Sequence, residues 1–387
     1  MTEDELRVLH LGKYYPPHHG GMETYLHGLL QALAPLGVKA IALVHRSTHG
    51  ARSVEDNASS HRIVRAAVWF TMLFAPLSPA FPWQLQRLIR EEAPELLHIH
   101  MPNLSAFWAL LLPSARKLPW VVHWHADIPL STQSLALRWV YRALYRPLER
   151  QLLQRAAVII ATSPPYLKSS PSLQLFRDKV SVVPLGLQPP VVVGDSQTDT
   201  ASSRPLRLIA IGRLTYYKGF ANLLHALGQC PGVTLDLIGD GSERPVLAAL
   251  AAAAGLGDRV TLHGALADEA VQRLLARADV LCLPSVERTE AFGMVLLEAM
   301  ARGKACIATN VPGSGMPWVV QHEVTGLVVP PENIDALAQA IARLAANPMQ
   351  MLRLGAAGKA RFNELFQIEH SADAIIRIYR SLASTKQ

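Results

Sequence analysis

Residues 280–308 read VLCLPSVERTEAFGMVLLEAMARGKACIA, and this stretch decides the fold. Two short apolar runs, 280–283 and 305–308, enclose a polar loop and an apolar helix predicted over Met294–Ala301. The two strands of such a strand-helix-strand unit run parallel, because a crossover helix separates them. Strands that read as continuous apolar runs are typical of a parallel sheet covered by helices on both faces.

The same alternation of apolar runs and helices extends from this stretch in both directions. Helices are predicted over 22–36 and 220–227, where apolar residues recur at helical spacing. The other runs that predict strands are 7–11, 40–44, 96–100, 120–123, 157–161, 206–211, 233–238 and 260–262. The sequence therefore predicts an α/β protein.

The length of the chain and one change of composition predict two domains. A chain of 387 residues exceeds the size of one ordinary core. Residues 188–204, QPPVVVGDSQTDTASSR, are rich in turn-forming and small polar residues and predict a linker. The predicted domains are 1–187 and 205–368, followed by a last segment, 369–387.

The positive charge of the protein is concentrated in the first half of the chain. Residues 1–190 hold 19 Lys and Arg against 12 Asp and Glu, whereas residues 191–387 hold 18 of each. An anionic partner is therefore expected for the first half. It could be a membrane surface, a pyrophosphate-linked substrate or nucleic acid; the alternative is an ordinary solvated face rich in arginine.

The cysteines and the apolar segments indicate a cytoplasmic protein. The three cysteines, Cys230, Cys282 and Cys306, show no metal-binding or disulfide spacing and fit a reducing compartment. The first residues, MTEDELRVLHL, do not resemble a signal peptide. Residues 66–83 are apolar but interrupted by three prolines, so we expect a docking or hinge segment there and no membrane span.

The loop Gly212-Arg213-Leu214-Thr215-Tyr216-Tyr217-Lys218-Gly219 carries two cations between a predicted strand and a predicted helix. Arg213 supplies a planar fork and Lys218 a point charge, so the pair could converge on one diphosphate. The alternative is two solvated loop cations. The next such loop, Ile238-Gly239-Asp240-Gly241, resembles the start of a dinucleotide fingerprint, but Arg244 stands where the third glycine belongs, which argues against a nicotinamide cofactor.

Two glutamates, eight residues apart, are the most specific feature of residues 280–308. Glu290 precedes the predicted helix and Glu298 lies inside it, among apolar residues. The backbone amides of Phe292, Gly293 and Met294 fall at the helix N-terminus, where free N–H donors are available. One carboxylate could bind sugar hydroxyls and the other a ribose, about 10 Å away along the helix axis. The alternative is two ordinary surface glutamates.

Two loops of the first half add weaker signals. Gly20 and Gly21 precede a predicted helix, where backbone amides could approach an anion or simply form a turn. The strand that ends in Val122-His123-Trp124-His125-Ala126-Asp127 places two histidines on one strand face. Either histidine could face a ligand or be satisfied within the core.

Four motifs in this order resemble the family-4 glycosyltransferases: a Gly-Gly-x-Glu loop, a histidine after an inner strand, GRL-x3-KG and E-x7-E. The resemblance spans almost the whole chain. It implies the GT-B fold, in which two Rossmann-like domains face each other across a cleft. It also implies that the C-terminal helix crosses back to pack on the first domain.

The resemblance further implies a donor site in the second domain. Its residues are Arg213, Lys218, Gly239, Gly241, Glu290, Phe292, Gly293, Met294 and Glu298. The two cations would stabilise the leaving diphosphate, Glu290 and the helix amides would hold the sugar, and Glu298 would bind the ribose. Gly20 and Gly21 would add amides from across the cleft. His125 would face the sugar, with His123 as the alternative register.

The activity implied is that of a retaining hexosyltransferase in polysaccharide biosynthesis. The donor would be a nucleoside-diphosphate sugar of the mannose or rhamnose type, with GDP favoured over UDP, and the acceptor a glycan or a lipid-linked glycan. We expect no cofactor, no nucleic acid and no metal, since the chain has no Asp-x-Asp and no evident His/Cys cluster. The alternatives are a nucleotide-sugar epimerase, a phosphorylase or a non-catalytic carbohydrate-binding protein.

Two loops depart from the family pattern. Pro184-Leu185-Gly186-Leu187-Gln188 stands where Pro-Asn-Gly-Val-Asp is usual, and Val311-Pro312-Gly313-Ser314-Gly315 replaces a plainer diglycine. Neither departure involves the cations or the glutamates of the donor site. They therefore put the specificity in doubt more than the activity.

Residues 134–155, SLALRWVYRALYRPLERQLLQR, predict a surface that docks on anionic lipid at the inner face of the membrane. The basic residues of this segment are Arg138, Arg142, Arg146, Arg150 and Arg155. The first four recur every four residues and form one stripe along a helix, with aromatic residues between them. Pro147 is expected to break or kink that helix. The alternative is that the arginines pair with Glu149 or form a solvated face.

Overall fold

The computed structural model describes residues 5–50, 52–56, 61–72, 75–128, 135–190 and 204–384. The chain divides into two compact units. Unit 1 comprises Met1–Gln188 together with Ile368–Gln387, and unit 2 comprises Pro189–Gln367. Most of the predicted linker, residues 191–203, lies outside the described residues.

Unit 1 contains ten strands among the described residues. They are β1 Leu6–Leu11, β2 Val38–His45, β3 Val54–Asp56, β4 Arg62–Ala66, β5 Phe70–Met72, β6 Ala75–Leu77, β7 Leu96–Met101, β8 Trp120–Trp124, β9 Val158–Ala161 and β10 Val180–Val182. Eight of them form a sheet in the order β10-β9-β8-β7-β1-β2-β4-β3, in which only the edge strand β3 is antiparallel to its neighbour. The other two, β5 and β6, pair as an antiparallel hairpin within residues 66–83.

The helices of unit 1 cover this sheet. Those in the first part of the chain are α1 Gly21–Leu33, α2 Ala80–Glu92, α3 Trp108–Leu111, α4 Pro113–Arg116, α5 Leu135–Val140, α6 Arg146–Arg155, α7 Pro164–Ser169 and α8 Pro171–Gln174. A π-helical turn, Tyr141–Tyr145, joins α5 to α6. The chain stays helical through Pro147, and the π-helical turn directly before the proline is the kind of irregularity that accommodates a missing helix hydrogen bond.

Unit 2 has one sheet, and all of its strands are parallel. Its strands are β11 Leu206–Ile211, β12 Val233–Ile238, β13 Val260–Gly264, β14 Val280–Leu283, β15 Ala305–Thr309 and β16 Leu327–Val329. Its helices are α9 Phe220–Gly228, α10 Arg244–Ala253, α11 Asp268–Arg277, α12 Met294–Ala301, α13 Met316–Val319, α14 Ile334–Ala346 and α15 Pro348–Leu365. The order β13-β12-β11-β14-β15-β16 reverses direction between β11 and β14.

The last helix, α16 Ile368–Ser384, belongs to unit 1. It packs against α1, and its buried residues include Ile375 and Tyr379. The Ser371 hydroxyl donates to the Pro184 carbonyl at 2.6 Å, and the Ile368 amide donates to the Leu187 carbonyl at 3.1 Å. The loop 184–188, one of the two departures from the family pattern, thus receives the start of α16.

The predicted α/β class with two parallel sheets is confirmed. The strand order reverses between β1 and β7 in unit 1 and between β11 and β14 in unit 2. Ligands of such sheets bind outside the carboxyl ends of the strands at the point of reversal. The loops that follow these four strands are therefore where a site is expected.

Candidate functional site

The donor residues predicted in unit 2 lie on the two loops at the reversal point. Arg213 and Lys218 follow β11, and Glu290 follows β14. The backbones of the two loops are joined, since the Val286 amide donates to the Tyr217 carbonyl at 2.8 Å. The topology thus brings together groups that are far apart in the sequence.

Lys218 and Glu290 form a largely buried ion pair. The ammonium Nζ of Lys218 lies 2.5 Å from Oε2 of Glu290, and the two side chains are 11% and 13% exposed. Burial disfavours the ammonium, but the Glu290 carboxylate outweighs it, and the pKa of Lys218 lies above its ordinary value. The Arg213 charge acts on the same ammonium in the opposite direction, so the two cations are electrostatic neighbours. A third, anionic group placed there would be attracted by both.

Close backbone packing explains the glycine next to this pair. Gly219 has φ +68°, and a Cβ there would lie 2.1 Å from the Pro284 carbonyl oxygen. Gly239, predicted to contact the nucleotide, has φ +136°, and a Cβ there would lie 1.9 Å from the Gly212 oxygen. Any side chain at either position would push the loops apart. Gly241 lies just as close to the loop after β11, since its Cβ would meet the Leu214 oxygen at 2.3 Å.

The N-terminus of α12 faces the same region. Gly293 is its N-cap residue, with φ +83°, and Met294 is its first residue. Phe292 is buried and packs edge-on against Phe366, with ring centroids 6.0 Å apart. The Ser314 hydroxyl donates to the Glu290 carbonyl at 2.5 Å. The loop 311–315, the second departure from the family pattern, therefore supports the backbone of Glu290.

Glu298 lies one helical turn or more beyond this N-terminus, in the middle of α12. Burial raises the pKa of its carboxyl to about 6, while the nearby Arg302 charge and a hydrogen bond with Gln272 act against this rise. The carboxylate form is thus less stable here than in water. A ligand that donates hydrogen bonds to it would offset that cost.

The diglycine of unit 1 lies beside a carboxylate of the same chain, that of Glu23. Gly20 precedes α1, and Gly21 is the first residue of that helix. A Cβ at Gly20 would lie 2.2 Å from Oε2 of Glu23, whose side chain is buried. The carboxylate of the Gly-Gly-x-Glu motif therefore folds back onto its own glycine. The predicted role of these amides toward a ligand stays a prediction.

Unit 1 gathers five buried histidines on one face of three neighbouring strands. They are His10 on β1, His98 and His100 on β7, and His123 with His125 at the end of β8. His10 stands opposite His98 and His100 stands opposite His123 in the strand register. Residues opposite each other, or two apart on one strand, share a face of a sheet. Only His123 and His125 were identified from the sequence.

These imidazoles contact one another and remain neutral. Nδ1 of His100 lies 3.0 Å from Nε2 of His125, and Nδ1 of His10 lies 3.2 Å from Nε2 of His100. Burial lowers the pKa of His125 and of His10 to about 3, and it lowers the pKa of the other three well below the ordinary value. His125 therefore cannot act as a cation near neutral pH.

The sequence showed no evident histidine cluster, but the structure brings histidines of unit 1 together in two groups. His10, His98 and His100 form one group, and His100, His123 and His125 form a second. In each group one ring nitrogen per residue lies within 4.8 Å of the others. Separate strands contribute these rings, so their sequence spacing does not resemble a metal motif. Both groups lie in unit 1, whereas the predicted donor residues Arg213, Lys218 and Glu290 lie in unit 2. The expectation that the donor is bound without a metal stays a prediction.

The predicted membrane segment exposes apolar and basic side chains together. Its exposed apolar residues are Leu135, Trp139, Val140, Leu144 and Leu148, and Trp139 is 69% exposed. Arg142, Arg146 and Arg150 are also exposed. Glu149 is buried and accepts a hydrogen bond from the Ser172 hydroxyl at 2.5 Å.

Arg155 does not belong to the basic stripe. It donates to the carbonyls of Arg116 and Leu118, and its guanidinium lies over the Trp120 ring, 5.1 Å from the centroid. Its guanidinium is therefore engaged within unit 1, and its part in the predicted membrane surface stays a prediction. Within the described ranges, no helix has the length and apolar character that crossing a bilayer requires.

Known protein families match the two units of the chain separately. Residues 196–361 match the family described as glycosyl transferases group 1, and residues 20–186 match the glycosyl transferase 4-like domain. The D-rhamnosyltransferase WbpZ of Pseudomonas aeruginosa is 31% identical, over 93% of this chain and 92% of its own. The O-antigen chain mannosyltransferase C of Escherichia coli is 29% identical, over 98% of this chain and all of its own.

Two further proteins resemble the chain over nearly its full length. A GDP-mannose-dependent alpha-(1-6)-phosphatidylinositol monomannoside mannosyltransferase of Mycobacterium tuberculosis is 29% identical, over 91% of this chain and 92% of its own. Among solved structures, the sucrose-phosphate synthase of Thermosynechococcus elongatus superimposes with a TM-score of 0.79 at 24% identity. That superposition covers 98% of this chain and all of the synthase chain.

Proposed function

Because this chain belongs to the group 1, family-4-like glycosyltransferases and has their GT-B fold, we propose that it transfers a hexose from a nucleoside-diphosphate sugar with retention of configuration. The observation that carries the proposal is the buried Lys218–Glu290 pair beside Arg213 at the reversal point of the unit 2 sheet. A diphosphate and a sugar are adjacent groups of one donor molecule. Adjacent cations can bind the diphosphate while the neighbouring carboxylate binds hydroxyls of the sugar.

In the proposed reaction the bond between the anomeric carbon and the diphosphate oxygen breaks. Arg213 and Lys218 stabilise the charge that develops on that oxygen, and Glu290 holds hydroxyls of the sugar. An acceptor hydroxyl forms the new bond on the same face of the sugar, and its proton passes to the departing diphosphate. The protein then contributes position and charge, and the scheme needs no separate general base.

The neutral histidine fits this scheme as a hydrogen-bond partner. His125 is held at Nε2 by His100, and its Nδ1 has no partner among the described residues. We propose that this free nitrogen faces the transferred sugar. His123, whose ring lies 4.3 Å from that of His125, then has no direct contact with the donor.

The proposed donor is a GDP-sugar of the mannose or rhamnose type, and the proposed acceptor is a glycan, free or lipid-linked, in polysaccharide assembly. Support comes from the names of the mannosyl- and rhamnosyltransferase relatives, one of which is GDP-mannose-dependent. The test is to incubate the purified protein with GDP- and UDP-sugars and measure slow donor hydrolysis. Hydrolysis of no nucleotide sugar, or equal hydrolysis by the Lys218→Ala protein, would contradict the proposal.

We propose that donor binding needs no metal, and we expect activity to survive excess EDTA. The chain has no Asp-x-Asp, and in the proposed site Arg213 and Lys218 would stabilise the diphosphate in place of a metal. The measurement is the initial rate with and without chelator. Complete loss of activity, restored by magnesium or manganese, is the contrary result.

The carboxyl of Glu298 makes donor affinity depend on pH. We expect KM for the donor to rise as the pH falls through about 6, because the protonated carboxyl no longer accepts both ribose hydroxyls. Glu298→Gln should raise KM at pH 7.5 and remove this pH dependence. A rise in KM below pH 6 that persists in Glu298→Gln would assign the titration to another group.

The same substitution should stabilise the fold at neutral pH. The folded-state pKa of Glu298 lies above the unfolded value, so the folded form binds the proton more tightly. Its contribution to stability is present below the unfolded pKa and is lost as the pH rises through about 6. Removing the charge should therefore increase the free energy of unfolding at pH 7.5 by on the order of 1–2 kcal/mol. Urea denaturation at pH 7.5 and pH 5 measures the difference.

We also propose that unit 1 docks on an anionic membrane surface at its cytoplasmic face. Support comes from the exposed arginines of α6 and from the exposed apolar residues of α5 and the π-helical turn. On an anionic membrane, basic side chains contact the lipid headgroups while apolar side chains enter the boundary between headgroups and acyl chains. A lipid-linked acceptor would require the enzyme at that surface.

A further inference from the structure

A continuous chain of polar contacts links His125 to the last helix of unit 1. Nε2 of His125 lies 3.0 Å from Nδ1 of His100, and Nε2 of His100 lies 3.2 Å from Nδ1 of His10. Nε2 of His10 lies 3.5 Å from the Tyr379 hydroxyl, which also contacts Nδ1 of His98. The members of this imidazole relay are His125, His100, His10, Tyr379 and His98.

The histidines that contact each other in the relay meet edge to edge. The rings of His100 and His125 are within 20° of parallel, and their centroids lie 5.3 Å apart while the contacting nitrogens lie 3.0 Å apart. The rings of His10 and His100 show the same arrangement, at 23°, 5.5 Å and 3.2 Å. Because the centroids are much farther apart than the nitrogens, an N–H of one ring can point at the lone pair of the next. The rings of His98 and His100 stack instead, so His98 joins the relay only through Tyr379.

The hydrogen bonds of the relay must all point in one direction. Burial lowers the pKa of its four imidazoles, to about 3 for His10 and His125, so each ring is neutral near pH 7. A neutral imidazole has one N–H and one bare nitrogen. A ring that contacts neighbours through both nitrogens therefore donates to one neighbour and accepts from the other. The bonds between His125 and Tyr379 run either toward the tyrosine or away from it.

The Tyr379 hydroxyl decides between these two directions. It has a single hydrogen, and its contact with Nδ1 of His98 is closer than its contact with His10. Hydroxyl donors make shorter hydrogen bonds than N–H donors, so Tyr379 donates to His98 and accepts from Nε2 of His10. His100 then donates to His10, and Nε2 of His125 donates to His100. Nδ1 of His125, which has no partner among the described residues, is left bare.

We propose that Tyr379, acting through His10 and His100, is a positioning residue that makes His125 a hydrogen-bond acceptor for a hydroxyl of the transferred sugar. The proposal rests on the proposed function, in which Nδ1 of His125 faces that sugar. A bare nitrogen accepts and cannot donate, so it favours a sugar with a hydroxyl at the facing position over the analogue deoxygenated there. A residue of α16 thus contributes to the choice of donor without touching it.

The tautomer of His125 can be measured without any substrate, from the ¹⁵N chemical shifts of the full chain labelled with [¹⁵N]histidine. We expect His125, identified by the signals that disappear in His125→Gln, to carry its proton on Nε2 alone. A proton on Nδ1, or a mixture of both forms, overturns the proposal. This wild-type spectrum is decisive even where a variant does not fold.

A matched pair of tyrosine variants tests the origin of the tautomer. Tyr379→Phe removes the acceptor of the His10 N–H, so a fraction of His125 should become protonated on Nδ1. Tyr25→Phe removes the hydroxyl of another buried tyrosine of unit 1, which lies outside the relay, and should leave the tautomer of His125 unchanged. An unchanged tautomer in Tyr379→Phe overturns the role of Tyr379.

The effect on the sugar is measured with the preferred donor and its deoxy analogues, each lacking one hydroxyl. We expect the wild type to discriminate against one analogue, and Tyr379→Phe to reduce that ratio of kcat/KM values about 2- to 10-fold, the net effect of one hydrogen bond. Tyr25→Phe should keep the ratio. A merely structural defect would lower kcat/KM for every donor alike, and this result overturns the proposal.

Failure of this proposal can be distinguished from failure of the proposed function. If no nucleotide sugar reacts, the proposed function is wrong, and the role of His125 toward a sugar fails with it. If sugars react but the spectra show the other tautomer, only the direction of the relay is wrong.

Discussion

Replacing Lys218 or Arg213 by alanine should lower kcat/KM by about 10²- to 10³-fold, the usual effect of removing one group that stabilises a developing charge. Lys218 is the stronger test, because its ammonium is buried against Glu290 and no other described side chain forms an ion pair with that carboxylate. Glu290→Ala should have an effect of similar size. Steady-state kinetics with the donor found in the nucleotide-sugar screen provides the measurement.

The controls separate lost catalysis from lost stability. Removing one member of a buried ion pair leaves the other charge uncompensated and destabilises the fold. The double variant Lys218→Met with Glu290→Gln leaves no lone charge, so it should recover stability but not activity. Arg273→Ala, at an exposed position of α11, should keep the wild-type rate. If Arg213→Ala and Lys218→Ala both retained wild-type rates, the diphosphate would be placed wrongly.

Reversing the charge of Arg142 and Arg146 should abolish most binding to anionic vesicles. Each basic residue near such a surface contributes about 1 kcal/mol, so losing two attractions costs at least about 30-fold in partitioning, before any repulsion. Co-sedimentation with vesicles of neutral and of anionic lipid, at low and high salt, measures the effect. Binding by the wild type should weaken as salt increases.

A matched variant distinguishes this surface from net charge. Arg273→Glu with Arg277→Glu makes the same change in net charge on α11 of unit 2 and should bind vesicles like the wild type. Trp139→Ala tests the apolar part of the surface and should weaken binding at every salt concentration. Equal recovery of the wild type with neutral and anionic vesicles would refute the docking proposal.

The sequence predicted best the elements that are rich in apolar residues and end at a polar or glycine-rich loop. The bounds of β11, β12, β14 and α12 agree with the prediction, because most residues of each are apolar and the loops mark both ends. The short edge strands β3, β10 and β16 were missed. Each has three residues and depends on pairing with a neighbour, which no pattern within three residues can show.

An amphipathic strand was missed for a different reason. β4 carries Arg62 and Arg65 in a five-residue run, which hides its apolar character. Arg62 lies in a carboxylate network with Glu55, Glu91 and Glu92, and these partners come from β3 and α2. The charges therefore fit a strand only because other elements of unit 1 surround them.

The residues of the candidate site could be predicted one by one, but the contacts between them could not. The sequence identified Lys218 and Glu290 separately, while their direct pairing depends on β11 and β14 being neighbours in the sheet. The histidine cluster shows the same limit. The two H-x-H patterns of β7 and β8 indicate one face of each strand, but only the strand order shows that His10 completes the group.

The assignment of α16 to unit 1 has a consequence for synthesis of the chain on the ribosome. Unit 2 is continuous in sequence and can fold once residue 367 has emerged. Unit 1 begins first but stays incomplete until α16 is translated, because α16 covers α1 and brings Tyr379 to the histidines. The half that starts at the N-terminus is thus the last to finish, and nascent chains stalled before residue 368 should expose the apolar face of α1.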